Sequence, residues 1–369
     1  MVHANLYQQL CSFRNLELAY KKARKGKRNK KSVQDFEFNL ETNLLQLKHE
    51  LETGTYKPRP LKQFVIRDPK TRLISASDFR DRVVHHALCN IIQPIFEKTF
   101  IYDSHANQLG KGASKAIERL DIFKRKVSEN GRLVNHALDN NMIVGYVLKA
   151  DIRHFFDTVD HSVLMGIIKR KIKDQNVLRL IQKILGNHRT QNFANYTGKI
   201  QDPERGMPLG NLTSQFFANV YLNELDYFVK HELKIMHYIR YVDDFVLLDK
   251  SREKLGECKS GIYNFLKTIK LELHPEKSQI YPLNKGVKFL GFRIFYNYKH
   301  LNKRNIRKMK YRLNGFESKL ENREISKEDI QGSLVSWFGY AQQANTYKLR
   351  QQLKFKARSQ YQNKKEWRC

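Results

Sequence analysis

The chain has 369 residues, with 68 Lys and Arg against 37 Asp and Glu, and so carries a formal net charge of +31. Hydrophobic residues make up 41% of it, including 22 Phe and 18 Tyr, which excludes a disordered polyelectrolyte and indicates a globular protein. Charge of this size is self-repelling in a compact chain, so nucleic acid is the expected partner, with an anionic membrane surface as the alternative.

The first predicted helix follows a strongly basic segment, residues 20–31, "YKKARKGKRNKK". That segment suits phosphate contact, although a solvated face or a disordered arm is an equal alternative. Apolar residues then recur at 3.6-residue spacing and predict one helix that ends at Gly54. The apolar residues are Phe36, Leu40, Leu44, Leu47 and Leu51.

The next elements alternate strands with helices. Residues 61–80 predict two short strands around a turn at Asp68-Pro69, and "DRVVHHALCNIIQPIF" predicts a helix after them. Residues 142–161 begin as a buried strand that ends at Asp151. The helix "SVLMGIIKRKI" follows, and Asp160 is well placed to cap its N-terminus.

The second half of the chain contains a predicted hairpin with two acids at its tip. Residues 206–233 predict a Pro/Gly turn and a long amphipathic helix, and "HYIRYVDDFVLL" then predicts two strands joined at Asp243 and Asp244. Residues 271–296 are again strand-like, and about the last 70 residues are helical and basic. This order of elements predicts an α+β protein with a mainly antiparallel central sheet.

The cysteines and the hydropathy pattern bear on the compartment. The four cysteines are far apart and form no CxxC pair, which predicts a reducing compartment and no zinc site. No stretch has the uncharged apolar length that spans a bilayer, and "MVHANLYQQL" lacks the pattern of a secretion signal. We therefore expect a cytoplasmic protein with no membrane partner. The cysteines are Cys11, Cys89, Cys258 and Cys369.

Three carboxylates are predicted to converge. Asp151 ends one strand, and Asp243 and Asp244 lie at the hairpin tip, so neighbouring strands can bring them to one point. Such carboxylates repel each other and need a cation. Oxygen ligands without nearby His or Cys favour Mg²⁺, and a pair of Mg²⁺ ions is a common means of in-line phosphoryl transfer. In a chain of this charge, the site predicts a nucleic-acid polymerase.

The chain resembles the reverse transcriptases of bacterial and archaeal retroelements over nearly its whole length. The "YVDD" box resembles their catalytic hairpin, and "KADIRHFFDTVDH" resembles their first metal-binding motif. Other segments resemble further motifs of that family in the same order. These are "RDPKTRLISASDFRDRVVHHAL" and "ANQLGKGASKAI" for the fingers, "HPEKSQI" and "VKFLGF" for the end of the palm, and "SWFGYAQQANTYKL" for the thumb.

The resemblance implies a right-hand polymerase that copies a template RNA into cDNA from a primer and dNTPs, in bacterial, archaeal or phage-encoded form. It implies catalytic roles for Asp151, Asp243, Asp244 and Lys277, the last as the acid that protonates pyrophosphate, although a surface lysine is the alternative. The implied domains are an N-terminal basic and helical extension (1–62), fingers (63–145), a catalytic palm (146–297) and a helical basic thumb (298–369). The implied site for two Mg²⁺ ions, for which Mn²⁺ can substitute, consists of Asp151, Ile152, Asp243 and Asp244.

The resemblance also implies contacts to the nucleotide and the primer. Arg67 and Arg72 would bind the triphosphate, because guanidinium groups bind phosphate oxygens bidentately. Phe156 would exclude a 2′-hydroxyl, with a core aromatic as the alternative, and its neighbour Phe155 is the better candidate for the core. Gly210 permits close backbone approach to the nucleotide or simply forms the turn. The predicted primer grip is Phe289, Leu290 and Gly291, of which Phe289 and Leu290 could equally belong to the core.

One segment points to a subclass. Most reverse transcriptases have Gln-Gly at the turn before the long helix, followed by Ser-Pro, whereas "PLGNLTSQ" has Leu209 in place of that Gln and Gln215 in place of that Pro. This resembles the enzymes of diversity-generating retroelements, which copy RNA with frequent errors at adenines and have a small basic accessory protein, expected as an oligomer. Leu209 could instead be a plain core leucine. The alternatives are a retron, group II intron-like or phage-defence reverse transcriptase, or a non-catalytic RNA-binding scaffold.

Overall fold

The computed structural model describes residues 5–67, 71–134, 142–187 and 204–361. In these ranges the chain is mainly helical, with short strands between the helices. The helices are α1 (Tyr7–Cys11), α2 (Phe13–Arg24), α3 (Lys31–Phe38), α4 (Leu40–Glu52), α5 (Phe79–Glu97), α6 (Ala113–Val127), α7 (Phe155–Thr158), α8 (His161–Lys169), α9 (Gln175–Gly186), α10 (Leu212–Tyr227), α11 (Arg252–Thr268), α12 (Lys303–Glu321), α13 (Lys327–Ala341) and α14 (Tyr347–Tyr361). The strands are β1 (Lys62–Ile66), β2 (Arg72–Ala76), β3 (Tyr146–Asp151), β4 (Tyr238–Tyr241), β5 (Asp244–Asp249), β6 (Gln279–Pro282), β7 (Val287–Phe289), β8 (Phe292–Ile294) and β9 (Lys299–Leu301).

A four-stranded sheet has the order β4-β5-β3-β6. β4 and β5 are neighbours joined by the two residues Val242 and Asp243, a connection that only antiparallel strands allow. β3 pairs antiparallel with β6, with Val147 opposite Tyr281. The two inner strands, β5 and β3, carry mostly buried apolar residues, as expected for strands covered on both faces. The predicted α+β fold with an antiparallel sheet is confirmed.

Two smaller sheets complete the strand pairing. β1 and β2 form an antiparallel hairpin with Lys62 opposite Ala76, which confirms the two strands predicted there. The Asp68-Pro69 turn between them lies outside the described residues. β7, β8 and β9 form an antiparallel three-stranded sheet.

Residue contacts divide the chain into two units, each with its own core. In the first unit α5 packs against α2 and α10, and its side chains Val83, Val84 and Leu88 are fully buried. In the second unit α12, α13 and α14 share one apolar cluster. The first unit comprises Met1–Gly110, Ala150–Phe245 and Glu257–Ser278, and the second comprises Lys111–Lys149, Val246–Gly256 and Gln279–Cys369. The cluster of the second unit contains Met309, Leu313, Phe316, Ile330, Leu334, Leu353 and Ala357.

Side-chain caps define where several helices begin. The Asp160 carboxylate accepts the backbone N–H of Val163 at 3.0 Å and starts α8, which confirms its predicted role. α13 begins with a capping box, in which the side chains of Ser326 and Asp329 each bond to the backbone N–H of the other residue. These bonds satisfy donors that the first turn of a helix leaves unpaired.

The prediction of one helix up to Gly54 is wrong, because the segment forms two helices that break at Asn39. Asn39 has φ −123° and ψ 51°, outside the helical range. The amide Nδ2 of Asn43 donates to the Phe36 carbonyl at 3.0 Å and satisfies an acceptor at the end of α3. Asn competes with the helix through such local bonds, and apolar periodicity does not detect the break.

The described part of the chain contains no helix that is both long and apolar enough to cross a bilayer. Cys11, Cys89 and Cys258 are buried and are not in disulfides. Burial raises the pKa of the Cys11 thiol to about 11 and that of Cys89 to about 12. Both thiols are therefore neutral core groups at pH 7.

Candidate active site

A tight turn carries the first of the predicted acids. Val242 has a φ of +55°, and Asp243 is not among the residues with positive φ, as in a type II′ turn between β4 and β5. The carbonyl of Asp243 accepts the backbone N–H of Ile152 at 3.1 Å. Ile152 directly follows Asp151 at the end of β3, so the sheet brings Asp151 and Asp243 to the same place, as predicted.

The charge of Asp151 acts on the carboxyl group of Asp243. Burial raises the pKa of Asp243, and the charge of Asp151 raises it further. The positive charges of Arg72 and Lys277 act in the opposite direction on the same pKa. The Lys277 ammonium Nζ lies 3.0 Å from Asp151 Oδ1 and forms an ion pair with it. The site is thus an acidic pair flanked by two cations.

Lys277 is held in place by the backbone of its own segment. The N–H of His274 donates to the carbonyl of Asp151 at 2.8 Å, and the N–H of Arg153 donates to the carbonyl of Glu272 at 2.9 Å. Ser278 N–H then closes a turn onto the His274 carbonyl at 3.1 Å. These bonds fasten the predicted "HPEKSQI" motif to the end of β3, with Lys277 beside Asp151.

The third predicted carboxylate is Asp244, the first residue of β5, and it is half-buried. Among the residues that the structure describes, no three His, Cys, Asp or Glu side chains are grouped as a metal site requires. The expected convergence of three carboxylates is therefore not observed. Carboxylates repel each other, and here Asp151 pairs with the Lys277 ammonium instead.

The acidic pair nevertheless suits a hard cation. Asp243 is half-buried, and the negative charge of Asp151 raises the pKa of its carboxyl group further, an arrangement that a divalent ion would relieve. Oxygen donors are the ligands that Mg²⁺ prefers. Asp151 and Asp243 are therefore the two residues whose surroundings fit an ion.

The two predicted arginines differ in position. Arg72 begins β2 and is exposed, and its charge acts on Asp243. Arg67 is also exposed and directly precedes the undescribed turn of the hairpin. The charge of Arg72 thus acts on the acidic pair, whereas Arg67 directly follows the end of β1.

The two phenylalanines of α7 have separate environments. Phe155 is 1% exposed, and its ring centroid lies 6.2 Å from that of Tyr221, so it belongs to the core as predicted. Phe156 is half-buried, and its carbonyl accepts the N–H of Met207 at 2.7 Å. Its ring therefore has a free portion that a ligand can contact.

The turn of residues 209–211 is fastened to β2. The Leu209 carbonyl accepts the N–H of Ser75 at 3.1 Å, and Asn211 Oδ1 accepts the N–H of Ser77 at 3.1 Å. Gly210 has a φ of +108°, and a Cβ atom there would lie 3.0 Å from the Cγ2 atom of Ile74. The position therefore requires glycine for its backbone and for its space. Leu209 is half-buried rather than enclosed.

The predicted primer grip forms a hairpin turn in the second unit. Phe289 ends β7 and is 2% exposed, so it is a core residue. Leu290 and Gly291 connect β7 to β8 with φ values of +48° and +89°, as in a type I′ turn. A Cβ atom at Gly291 would overlap the hydroxyl of Tyr340, which explains the glycine.

Sequence analysis missed a buried ion pair beside the β4–β5 turn. Arg240 of β4 and Asp226 of α10 are both completely buried and bond to each other, with Arg240 Nε 2.7 Å from Asp226 Oδ1. A signal was available, since Arg240 is the one charged residue in the strand "YIRY". Its partner lies 14 positions earlier, on a helix, and local patterns do not indicate that pairing.

The chain matches one family model and several curated proteins. The family model "Reverse transcriptase (RNA-dependent DNA polymerase)" matches residues 62–294, more than half of the chain. Protein YkfC of Escherichia coli (strain K12) is 25% identical over 295 residues, covering 69% of this chain and 72% of its own. The group II intron-encoded protein LtrA of Lactococcus lactis subsp. cremoris is 24% identical over 341 residues, or 74% of this chain. The match covers 53% of LtrA, so the chain spans about half the length of that relative.

Two solved telomerase structures are also similar. The telomerase of Candida albicans in complex with a TWJ fragment of telomeric RNA is 12% identical with a TM-score of 0.45, covering 67% of this chain and 46% of that one. The apo telomerase of Candida tropicalis, truncated from its C-terminal domain, is 13% identical with a TM-score of 0.46, covering 69% and 58%.

Proposed function

The chain belongs to the reverse transcriptase family, the RNA-directed DNA polymerases, and on that premise we propose that Asp151 and Asp243 are its catalytic carboxylates. Template RNA and nucleotides are the substrates of this family. One observation carries the proposal: the acidic pair at the end of β3 and in the β4–β5 turn, with a half-buried Asp243 and the Lys277 ammonium 3.0 Å from Asp151. The three charged residues Asp151, Asp243 and Lys277 come from three different family motifs and are close together here.

Enzymes of this family use divalent metal ions. Asp151 and Asp243 would hold such ions, with Asp244 and the backbone of Ile152 completing the proposed set for two Mg²⁺, for which Mn²⁺ can substitute. When bound, these ions would stabilise the phosphate charge and make the primer 3′-hydroxyl a better nucleophile. Part of the cost of two neighbouring carboxylates is already offset by Lys277 and Arg72.

The remaining roles fall to the protein's own side chains. Lys277, which pairs with Asp151 at 3.0 Å, would donate a proton to the leaving pyrophosphate. Arg72 and Arg67 would bind the triphosphate oxygens. The free portion of the Phe156 ring would exclude a 2′-hydroxyl, and the bare backbone of Gly210 would let the nucleotide approach closely.

The proposed domains follow the family's right-hand plan. An extension of residues 1–62 and fingers of residues 63–145 would contact the template, and the palm of residues 146–297 would hold the site. A thumb of residues 298–369 would bind the primer-template duplex, and the Leu290-Gly291 turn would contact the primer terminus.

Primer extension tests the polymerase directly. The full-length protein is incubated with an RNA template, an annealed DNA primer, dNTPs and Mg²⁺, and cDNA is resolved by length. We expect extension to the template end, and none with Asp151→Asn. If the wild-type protein binds the RNA but extends nothing with Mg²⁺ or Mn²⁺, the non-catalytic RNA-binding scaffold replaces the polymerase.

Within the family, the "PLGNLTSQ" segment supports the diversity-generating subclass. Leu209 lies beside Gly210 and cannot make the hydrogen bond that Gln at this position would offer the incoming nucleotide. In this reading the enzyme makes errors at template adenines and works with a small basic accessory protein in mutagenic retrohoming. Similarity to LtrA favours a group II intron-like role as the second candidate, with retron and phage-defence enzymes behind it.

Deep sequencing of cDNA separates these subclasses. One lost hydrogen bond is worth about 0.5–1.5 kcal/mol, so Leu209→Gln should lower misincorporation at adenine roughly 2- to 10-fold while synthesis continues. Both proteins copy one template in which all four bases are equally represented. Wild-type errors that are rare, or spread evenly over the four template bases, would exclude the diversity-generating reading and leave the polymerase proposal intact.

A further inference from the structure

Arg240 occupies an unusual position for an arginine. It is the largest of the completely buried side chains in the described part of the chain, and it lies three residues before Asp243. Arg is almost never fully buried unless its charge is paired, because removing a guanidinium from water is costly. Strand β4 therefore contains a buried charge at a position where an apolar residue such as Leu or Val would have no such cost.

The guanidinium has a bonding partner for each of its five N–H groups. Nε and Nη2 bind the two Asp226 oxygens at 2.7 and 2.5 Å, so the ion pair is bidentate. The second hydrogen of Nη2 bonds to Ser104 Oγ at 3.1 Å. Nη1 bonds to Asn219 Oδ1 at 3.1 Å and to the carbonyl of Val242 at 3.2 Å. No donor is left over, so the group is fixed in one orientation.

Only one of these partners belongs to the catalytic turn. Val242 has a φ of +55° in a position of the type II′ turn that normally requires glycine. A β-branched residue is strained in this region and keeps it only when its surroundings enforce it. The bond from Arg240 to the Val242 carbonyl is such a constraint, and it acts on the peptide directly before Asp243.

We propose that Arg240 is a positioning residue, which holds the Val242 peptide in its left-handed turn and thereby sets where the Asp243 carboxylate stands relative to Asp151. Asp226 neutralises the guanidinium charge, which allows Arg240 to be buried away from water. Asn219 and Ser104 fix its rotation. This inference rests on the proposed function, since it assigns Asp243 to the reacting centre.

The test is a double-mutant cycle in the full-length protein. Arg240→Lys keeps a positive charge near Asp226 but loses the five-donor fork. We expect kcat for primer extension to fall about 10- to 100-fold, in line with the cost of a small misplacement of a catalytic group, with KM for dNTP changed by less than about twofold. Thermal unfolding of each variant reports whether the fold survives.

Val242→Gly supplies the second arm of the cycle. Glycine adopts a φ of +55° without strain, so the turn no longer depends on the arginine. We expect Arg240→Lys to reduce kcat less than about threefold in the Val242→Gly background, against about 10- to 100-fold in wild type. An equal loss in both backgrounds, or a folded Arg240→Lys protein with wild-type kcat, would overturn the proposal.

Two further variants keep the test decisive. Tyr238→Phe removes a 2.8 Å bond to Asp226 Oδ1 in the same network without touching the turn, so it should lower the thermal stability and leave kcat unchanged. If Arg240→Lys does not fold, Asn219→Ser replaces it in the cycle, because Asn219 shares Nη1 with the Val242 carbonyl. An Asn219→Ser variant that is active in both backgrounds refutes the inference. A wild-type protein without polymerase activity refutes the proposed function instead.

Discussion

Asp243 is the residue on which the proposed chemistry depends. It is half-buried, the negative charge of Asp151 acts on it, and its backbone carbonyl accepts the N–H of Ile152. Asp243→Asn removes the charge while keeping the shape, so we expect DNA synthesis to fall at least about 100-fold with RNA affinity unchanged. Primer extension and a filter-binding assay on the same RNA measure the two properties.

Asp249→Asn is the matched control, because it is the same substitution at the far end of β5, where the carboxylate pairs with Lys254. It should leave synthesis within about twofold of wild type, as a surface ion pair contributes little. Loss of RNA binding together with synthesis in Asp243→Asn would indicate a structural role for the residue.

The Asp243→Asn substitution should also stabilise the metal-free protein at neutral pH. Burial, then the charge of Asp151, raises the pKa of Asp243 above its ordinary 3.8, so ionisation costs more in the folded than in the unfolded chain. The ionisation of Asp243 therefore lowers the stability of the folded protein fully at pH values above its folded pKa, and not at all below about pH 3.8. We expect Asp243→Asn to be more stable than the wild-type protein at pH 7 in a chelator, and this gain to vanish as the pH falls from the folded pKa to about 3.8. Denaturant unfolding at several pH values measures it, and a constant difference across pH would contradict the assignment.

Lys277 has two effects that one variant can separate. Its ammonium neutralises Asp151, so it competes with a divalent cation for the same oxygen, and it is also the proposed acid. Lys277→Met should therefore lower the Mg²⁺ concentration for half-maximal activity and lower the maximal rate about 10- to 100-fold. Lys270→Met removes a comparable ion pair with Asp160 away from the acids and should change neither quantity. A higher Mg²⁺ requirement in Lys277→Met would show that the lysine does not compete with the ion.

At the scale of elements, the sequence predicted the features that depend on neighbouring residues alone. The β4–β5 hairpin, the end of β3 at Asp151 and the Asp160 cap follow from alternation, turn residues and capping rules, and all are observed. The break at Asn39 was missed because a change of helix direction leaves the apolar period intact. The pairing of Arg240 with Asp226 was missed because it depends on how α10 packs on the sheet. Three acids at one point were expected from strand adjacency alone, which does not give the position of each side chain.

The hydrogen bonds between the 209–211 turn and the β2 segment can be tested for their contribution to stability and to nucleotide binding. Ser77 is 3% exposed, and its backbone N–H bonds to Asn211 Oδ1. Asn211→Ala leaves that donor buried without its partner, which should cost about 1–3 kcal/mol and raise the KM for dNTP, because Leu209 and Gly210 lie in the same turn. Thermal unfolding and steady-state kinetics give the two values.

Asn187→Ala is the control for that element, since the Asn187 Nδ2 bond to the Arg59 carbonyl is exposed. Its removal should cost less than about 0.5 kcal/mol and leave KM unchanged. If Asn211→Ala loses stability but keeps its KM, the turn does not contribute to the nucleotide site.

For the whole molecule, a net charge of +31 predicts RNA binding that weakens steeply with salt. Lys25 and Arg28 are exposed in the basic segment between α2 and α3. If they contact phosphates, the double variant with Lys25→Gln and Arg28→Gln should reduce the slope of log K against log salt by about 0.7 per lost contact. Titration at four salt concentrations measures the slope.

Lys21→Gln is the comparison, because Lys21 lies in the same segment but pairs with Glu17 at 2.6 Å. We expect it to change the slope less than either of the exposed residues does. Unchanged slopes in all variants would identify the segment as a solvated face.

The first unit is assembled from three separate stretches of chain, and the last of them ends at Ser278. A ribosome adds about 5–20 residues per second, so roughly 15 to 55 s pass before that stretch has been synthesised. Asp151 leaves the ribosome 126 residues ahead of Lys277, the cation that neutralises it. Asp151 is therefore without this counter-charge while the next 126 residues are added, about a third of the 369-residue chain, and the first unit can close only after residue 278 has been synthesised. Chaperones that shield emerging chains would have their longest engagement with this protein just before residue 278 appears.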